Sequence, residues 1–221
     1  MPIPELERVA VCSAFCVLAF FSSHFSQAYG PVMKPISALQ YFTWSKFSNP
    51  SNDRVAYRAI RKHKFRSIVE VGLGAAVRCE RMIRVAQKYS GAATIRYTGI
   101  DAFEGRDPGE TPLKLIEMHR QLNGLGAKAQ LVPGNFSNAI ERIANAHLKT
   151  DLIVVQIDST GDAFEDPDFA HAWRFLPRML HASSQVMLFY PGDEYEVFNF
   201  LDVEAKEREL AAAGSQTKRA A

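Results

Sequence analysis

The sequence contains few cysteines, little net charge and no apolar run long enough to cross a bilayer. Its three cysteines among 221 residues, Cys12, Cys16 and Cys79, form neither a disulfide framework nor a recognisable metal-ligand spacing. The formal net charge of +2 gives no overall attraction to nucleic acid or to an anionic membrane. With 47% hydrophobic and 23% charged residues, the composition is that of an ordinary globular domain with a sizeable core.

The most apolar segment lies near the N-terminus. Val9–Phe21 is apolar except for Ser13, but it is shorter than the roughly 20 residues that span a bilayer. Three interpretations of residues 1–32 stay open: a signal peptide with a cleavage site near residues 26–28, a weakly anchored helix, or sequence upstream of a true start at Met33. The acidic beginning of the segment argues against export, so we predict a cytoplasmic protein without a stable membrane span.

A glycine-rich turn after a short apolar segment organises the rest of the chain. Ser67–Val71 is rich in β-branched residues and predicts a strand, which Gly72 and Gly74 follow directly. A helical pattern begins near Val77. Glycine allows positive φ and lets a ligand approach the backbone, and the helix N-terminus presents N–H groups to that ligand. The pattern predicts a ligand site, with a tight turn that binds nothing as the alternative.

The spacing of the glycines distinguishes two classes of ligand. A dinucleotide-binding G-x-G-x-x-G turn needs a third glycine where this chain has Val77, whose branched side chain we expect to crowd the helix against the strand. The pattern acid-x-G-x-G-x-G is matched instead by Glu70, Gly72 and Gly74, with Ala76 in place of the last glycine. On these residues the chain resembles a class I, Rossmann-like methyltransferase that depends on S-adenosylmethionine (SAM).

The resemblance covers roughly residues 53–191 and implies a doubly wound α/β fold. We predict a mostly parallel sheet of about five strands in the order 3-2-1-4-5, with helices on both faces. The family adds an antiparallel pair of strands after the fifth, but here we predict a last helix near Tyr195–Ala213 and no such pair. The chain then divides into an apolar extension (1–32), a helical cap (33–66), a SAM-binding domain (67–213) and a flexible tail (214–221).

Candidate cofactor-binding residues follow the first two strands. Asp101 ends the second strand, where a carboxylate can accept hydrogen bonds from both hydroxyls of a ribose. The alternative for Asp101 is a helix cap or a loop aspartate. The resemblance implies that Glu70 supports the turn or the methionine amino group, that Gly72 and Gly74 admit the cofactor, and that Ala102 joins Asp101 in the site.

Later strands end in further candidates. The resemblance places adenine beside Asn135 and Phe136, the first pairing with its edge and the second stacking on its face. The continuous apolar run of Asp151–Asp158 predicts a parallel strand buried on both faces. Ligands bind at the carboxyl ends of such strands, so Asp158 is our candidate catalytic residue, as a general base, as a group that orients the nucleophile, or as a cation ligand. Because the other acids give no matching pattern, we predict no metal site.

These residues predict SAM-dependent methyl transfer to an oxygen or nitrogen of a small molecule, with SAM as the cofactor. The substrate side is then open, or is completed by the N-terminal cap or by a second copy of the chain. We interpret the basic stretch of residues 54–66 as a solvated helix face rather than a nucleic-acid site. Two alternatives are a non-catalytic binding or scaffold protein of the same fold and an NAD(P)-dependent oxidoreductase.

Overall fold

Six strands form one sheet in the order β3-β2-β1-β4-β5-β6. In the computed structural model, which describes residues 35–220 and the side chains of 35–213, β1 to β5 are parallel and β6 runs antiparallel to β5. The order 3-2-1-4-5 predicted for the first five strands is confirmed. The strands are β1 (Ser67–Val71), β2 (Arg96–Asp101), β3 (Lys128–Pro133), β4 (Leu152–Gln156), β5 (Gln185–Phe189) and β6 (Tyr195–Asn199).

Helices pack on both faces of this sheet, as predicted for a doubly wound fold. The first four helices share one apolar core with one face of the sheet, and the last four share a second core with the opposite face. The helices are α1 (Ala38–Phe47), α2 (Asp53–His63), α3 (Val77–Tyr89), α4 (Leu115–Gly124), α5 (Phe136–Ile143), α6 (Pro167–Trp173), α7 (Leu176–Met179) and α8 (Phe200–Ala220).

Strand β4 shows why the sequence forms this three-layer arrangement. Its side chains alternate between the two cores, with Leu152 and Val154 on the α1–α4 side and Ile153 and Val155 on the α5–α8 side. All four are essentially excluded from solvent. The predicted strand with two buried faces is therefore confirmed, and its carboxyl end lies between the two helical layers.

The segment predicted as a helical cap forms α1 and α2. Its residues Tyr41, Tyr57 and Ile60 are buried in the same core as α3. No residue of 35–66 lines the cleft described below, so within that range the cap does not complete a substrate pocket. The predictions for residues 1–32 lie outside the part of the chain that the structure describes.

The prediction of a last helix over Tyr195–Ala213 and no antiparallel pair is wrong at its start. Tyr195–Asn199 forms β6, so β5 and β6 make an antiparallel pair at the sheet edge. The helix begins only at Phe200, because Asn199 and Asp202 form reciprocal side-chain to backbone hydrogen bonds of 2.9 and 3.2 Å. It continues to Ala220, through most of the segment predicted as a tail.

None of the helices described within residues 35–220 combines the length and the apolar character that a membrane span requires.

Candidate functional site

A cleft of about 740 Å³ opens at the carboxyl ends of the parallel strands. Its walls come from the loops after β1, β2, β3 and β4, which the strand order brings to one edge of the sheet. Seven of the eight predicted site residues line it, and Glu70 does not. The seven are Gly72, Gly74, Asp101, Ala102, Asn135, Phe136 and Asp158.

The glycine turn has the backbone conformation that its sequence predicts. Gly72 and Gly74 adopt φ of 76° and 54°, a region in which glycine carries no steric penalty, and Ala76 adopts 62° although it carries a Cβ. A Cβ built on Gly72 would lie 2.7 Å from the Cβ of Gln156, whereas one built on Gly74 would meet nothing within 4 Å. Gly72 is therefore required by packing, and Gly74 leaves open space where the turn meets the cleft.

Helix α3 begins immediately after this turn. Its N-cap is Ala76, whose side chain makes no capping hydrogen bond. The first N–H groups of a 13-residue helix are thus left without a side-chain cap beside the cleft, an arrangement that favours a negatively polarised group there.

The packing reason given above for excluding a dinucleotide is wrong. Val77 is 49% exposed at the first position of α3, so its branched side chain does not press the helix against the sheet. The missing third glycine remains a mismatch of pattern, but it imposes no clash in this fold.

Glu70 lies behind the glycine turn rather than in the cleft. Strand alternation puts it on the α1–α4 side of the sheet, where it is fully buried. Its Oε1 accepts a hydrogen bond from Arg78 Nε at 2.6 Å, and its Oε2 accepts one from the Tyr97 hydroxyl at 2.6 Å. Burial raises the pKa of Glu70, and Arg78 and Tyr97 oppose that rise by stabilising the carboxylate.

Arg78, which the sequence analysis did not single out, connects this buried acid to the cleft. Its side chain is 8% exposed, and its Nη2 donates to the Gly72 carbonyl at 2.8 Å while its Nη1 donates to Gln156 Oε1 at 3.0 Å. Asp53 Oδ1 on α2 lies 3.5 Å from Nη1. Arg78 therefore fixes the backbone of the turn from behind. A buried glutamate in β1 needs a cation, and an arginine eight residues later was the available signal.

Asp101 lies where predicted, at the end of β2 and against the cleft, but its oxygens are already occupied. The backbone N–H groups of Leu73 and Phe103 donate to it at 2.8 and 3.0 Å. Arg106 donates two further hydrogen bonds, from Nε at 2.7 Å and from Nη2 at 2.6 Å. Burial acts to raise the pKa of Asp101, but the hydrogen bonds from Arg106, Phe103 and Leu73 outweigh it and hold that pKa below its usual value.

The two residues predicted to contact adenine are both engaged within the protein. Asn135 is the N-cap of α5, and its side-chain oxygen accepts the Asn138 N–H at 3.0 Å. Phe136 is 5% exposed and stacks on Phe169 with ring centroids 4.4 Å apart. Both still contribute to the cleft wall, with Phe169 covering one face of the Phe136 ring.

Asp158 is exposed in the cleft two residues beyond the end of β4. Three further acids that the sequence analysis did not assign to the site, Glu110, Asp162 and Asp166, also line it. Asp162 and Asp166 each accept a backbone N–H at 2.9 Å as helix caps. Within residues 35–220, no three His, Cys, Asp or Glu side chains are grouped as a metal-ion site.

The strand order defines a Rossmann-like α/β domain, with a cleft at the carboxyl edge of its sheet. No family model matches the sequence, and no curated protein is similar to it. A methyltransferase from Podospora anserina, bound to S-adenosylhomocysteine (SAH), is 14% identical with a TM-score of 0.43. The similarity covers 98% of this chain and 90% of that one. An O-methyltransferase from Streptomyces achromogenes, in complex with SAM, is 14% identical with a TM-score of 0.47, over 89% and 84%.

A third structure, an O-methyltransferase family protein from Burkholderia thailandensis, is 11% identical with a TM-score of 0.36. That similarity covers 63% of this chain but only 39% of the Burkholderia protein. With TM-scores below 0.5, these similarities leave the function to be inferred from the cleft itself.

Proposed function

We propose that this chain binds SAM in the cleft and transfers its methyl group to an oxygen or nitrogen of a small molecule. The observation that carries the proposal is the convergence on one cavity of the left-handed glycine turn, the acid that ends β2 and the acid that follows β4. These elements are separated in sequence, and only the parallel strand order brings them to the same edge.

The residues present fit such a cofactor in two respects. The cavity of about 740 Å³ lies within the range of roughly 300–1,000 Å³ typical of small-molecule sites. Gly74 leaves open space at the turn, and the uncapped start of α3 suits a carboxylate or another electron-rich group. When bound, SAM would supply a methyl group on a sulfonium sulfur. A nucleophile held in line with the carbon–sulfur bond would take up that methyl group as the bond breaks.

Asp158 is the residue that we assign to the substrate side. It is exposed in the cleft at the end of the central strand β4, and within the range that the structure describes it belongs to no metal-ligand group. Its carboxylate is suited to accept the proton that a hydroxyl or amine nucleophile loses, or to orient that nucleophile by a hydrogen bond. Asp101 is the residue that we assign to the ribose, on the condition that Arg106 releases it.

Isothermal titration with SAM and S-adenosylhomocysteine tests the proposal. We expect saturable binding of both. Each ligand should also raise the melting temperature, because at a concentration of a hundred times Kd it stabilises the folded state by about 2.7 kcal/mol. Asp101→Asn should weaken binding, whereas Asp158→Asn should leave binding intact and abolish formation of S-adenosylhomocysteine with a hydroxyl or amine acceptor. Asp107→Asn is the control, because Asp107 is exposed in the same loop and does not line the cleft. Absence of binding to either compound by the wild-type chain would refute the proposal.

A non-catalytic domain of the same fold is the second candidate, and one observation favours it. Four protein donors already occupy the roughly four acceptor positions of the Asp101 carboxylate. A protein of this kind would show no heat on titration with SAM, whether residue 101 is Asp or, in Asp101→Asn, Asn. An NAD(P)-dependent enzyme would instead produce a saturable change in NADH fluorescence on mixing, which a separate fluorescence titration with NADH measures.

The expectations about partners and location stay predictions. Sedimentation of the protein with and without S-adenosylhomocysteine tests whether a second copy of the chain completes the substrate side. The cytoplasmic location is tested by fractionating cells that express the full chain.

A further inference from the structure

The side chain of Arg106 occupies both carboxylate oxygens of Asp101, the residue to which we assign the ribose. Its two N–H groups reach the two carboxylate oxygens in the paired geometry typical of an arginine–carboxylate contact. A vicinal diol presents two O–H donors to a carboxylate in the same way. Together with the Leu73 and Phe103 N–H groups, Arg106 fills the roughly four acceptor positions that a carboxylate has, so the diol and the guanidinium compete for the same oxygens.

The pair is sheltered and is attached to the loop that closes one side of the cleft. The side chains of Arg106 and Asp101 are only 8% and 5% exposed. Arg106 Nη1 also donates to the Thr111 carbonyl at 2.7 Å, which fastens the loop after β2 to the same guanidinium. Glu110 Oε2 lies 3.9 Å from Arg106 Nε, and the Glu110 side chain is 55% exposed. Glu110 can therefore accept a hydrogen bond from the guanidinium when it leaves Asp101.

We propose that Arg106 is an internal latch on the cofactor site, which a ligand must open by exchanging its ribose diol for the guanidinium on Asp101. The inference rests on the proposed binding of an adenosyl cofactor. In the latched form the ribose position is filled, and the apparent affinity for the cofactor is reduced by the fraction of molecules in which Arg106 has been released.

The latch is tested by measuring the affinity of three proteins for adenosine compounds: the wild type, Arg106→Ala and Arg120→Ala. Arg120 is exposed on α4 and does not line the cleft, so its substitution makes the same change of net charge without opening Asp101. The probes are S-adenosylhomocysteine, adenosine and 2′,3′-dideoxyadenosine, the last of which lacks the diol. If Arg106→Ala does not fold, Arg106→Gln takes its place, since it also removes the paired donors.

The latch predicts that Arg106→Ala binds S-adenosylhomocysteine and adenosine at least about tenfold more tightly than the wild type. Dideoxyadenosine should show no such gain, and Arg120→Ala should match the wild type with every probe. Unchanged or weaker binding of S-adenosylhomocysteine by Arg106→Ala overturns the latch while leaving the proposed function in place. An equal gain for dideoxyadenosine also overturns it, because the effect would then come from added space. If no variant binds any adenosine compound, the proposed function fails and the latch with it.

Discussion

Replacing Arg78 by methionine should destabilise the fold severely, because it leaves the Glu70 carboxylate buried without a cation. Glu70 is fully buried, and Arg78 contacts it at 2.6 Å while also donating to Gly72 and Gln156. Removing one partner of a buried ion pair costs about 3–5 kcal/mol, since the remaining charge keeps its desolvation penalty. We expect a loss of that size in the free energy of unfolding, measured by urea titration with circular dichroism and tryptophan fluorescence.

Two further variants separate this cause from a general packing defect. Glu70→Gln combined with Arg78→Met removes both charges, and we expect it to recover about 2 kcal/mol relative to the sum of the single changes. Arg84→Met removes a cation from the same helix, but its partner Glu80 lies 3.2 Å away with side chains 25% and 34% exposed. That control should cost less than about 1 kcal/mol. Additive losses in the double variant, or equal losses for Arg78→Met and Arg84→Met, would refute this reasoning.

Three other predictions follow from single residues. Gly72→Ala should lower stability by about 2–4 kcal/mol in thermal unfolding, because its Cβ would meet Gln156 at 2.7 Å, whereas Gly74→Ala should cost roughly 1–2 kcal/mol for its backbone conformation alone. Asp101 has a folded pKa below its unfolded value of 3.8, so the stability that it contributes is present above that pH and is lost as the pH falls through the folded pKa. The difference in unfolding free energy between the wild type and Asp101→Asn should therefore shrink in acid, and a constant difference would contradict the assignment. Burial lowers the pKa of His147, so folding favours its neutral form, and the wild type should lose more stability than His147→Gln as the pH falls below about 6.5.

The central parallel strands were predictable because a short segment carries their signals by itself, and their order followed from the family resemblance. The apolar runs before Gly72 and Asp158 mark parallel strands, and the left-handed turn between β1 and α3 follows from its glycines. Strand β6 was missed because no glycine or proline separates it from α8. The reciprocal cap between Asn199 and Asp202, readable as an Asn followed three residues later by an Asp, marks the true beginning of the helix.

The location of the cleft was predictable from the sequence, but the ion pairs around it were not. The positions of Asp101 and Asp158 at strand ends follow from the sheet. A loop has no regular residue pattern, so the sequence does not predict that Arg106 donates hydrogen bonds to Asp101. The burial of Glu70 was predictable. Strand alternation places Glu70 on the other face of the sheet from Val69 and Val71, which belong to the core on the α5–α8 side. That alternation was available from the sequence and indicates a buried acid in need of a cation.

The acidic lining of the cleft has a consequence for the speed of binding. Arg106 balances the charge of Asp101, so Glu110, Asp158, Asp162 and Asp166 leave the cleft lining with an excess of negative charge. Such a field attracts cations before they touch the protein, and its range shrinks from about 30 Å at 0.01 M salt to about 10 Å at 0.1 M. A positively charged ligand should therefore associate faster in dilute buffer, and the second-order rate constant should fall steadily as salt is added.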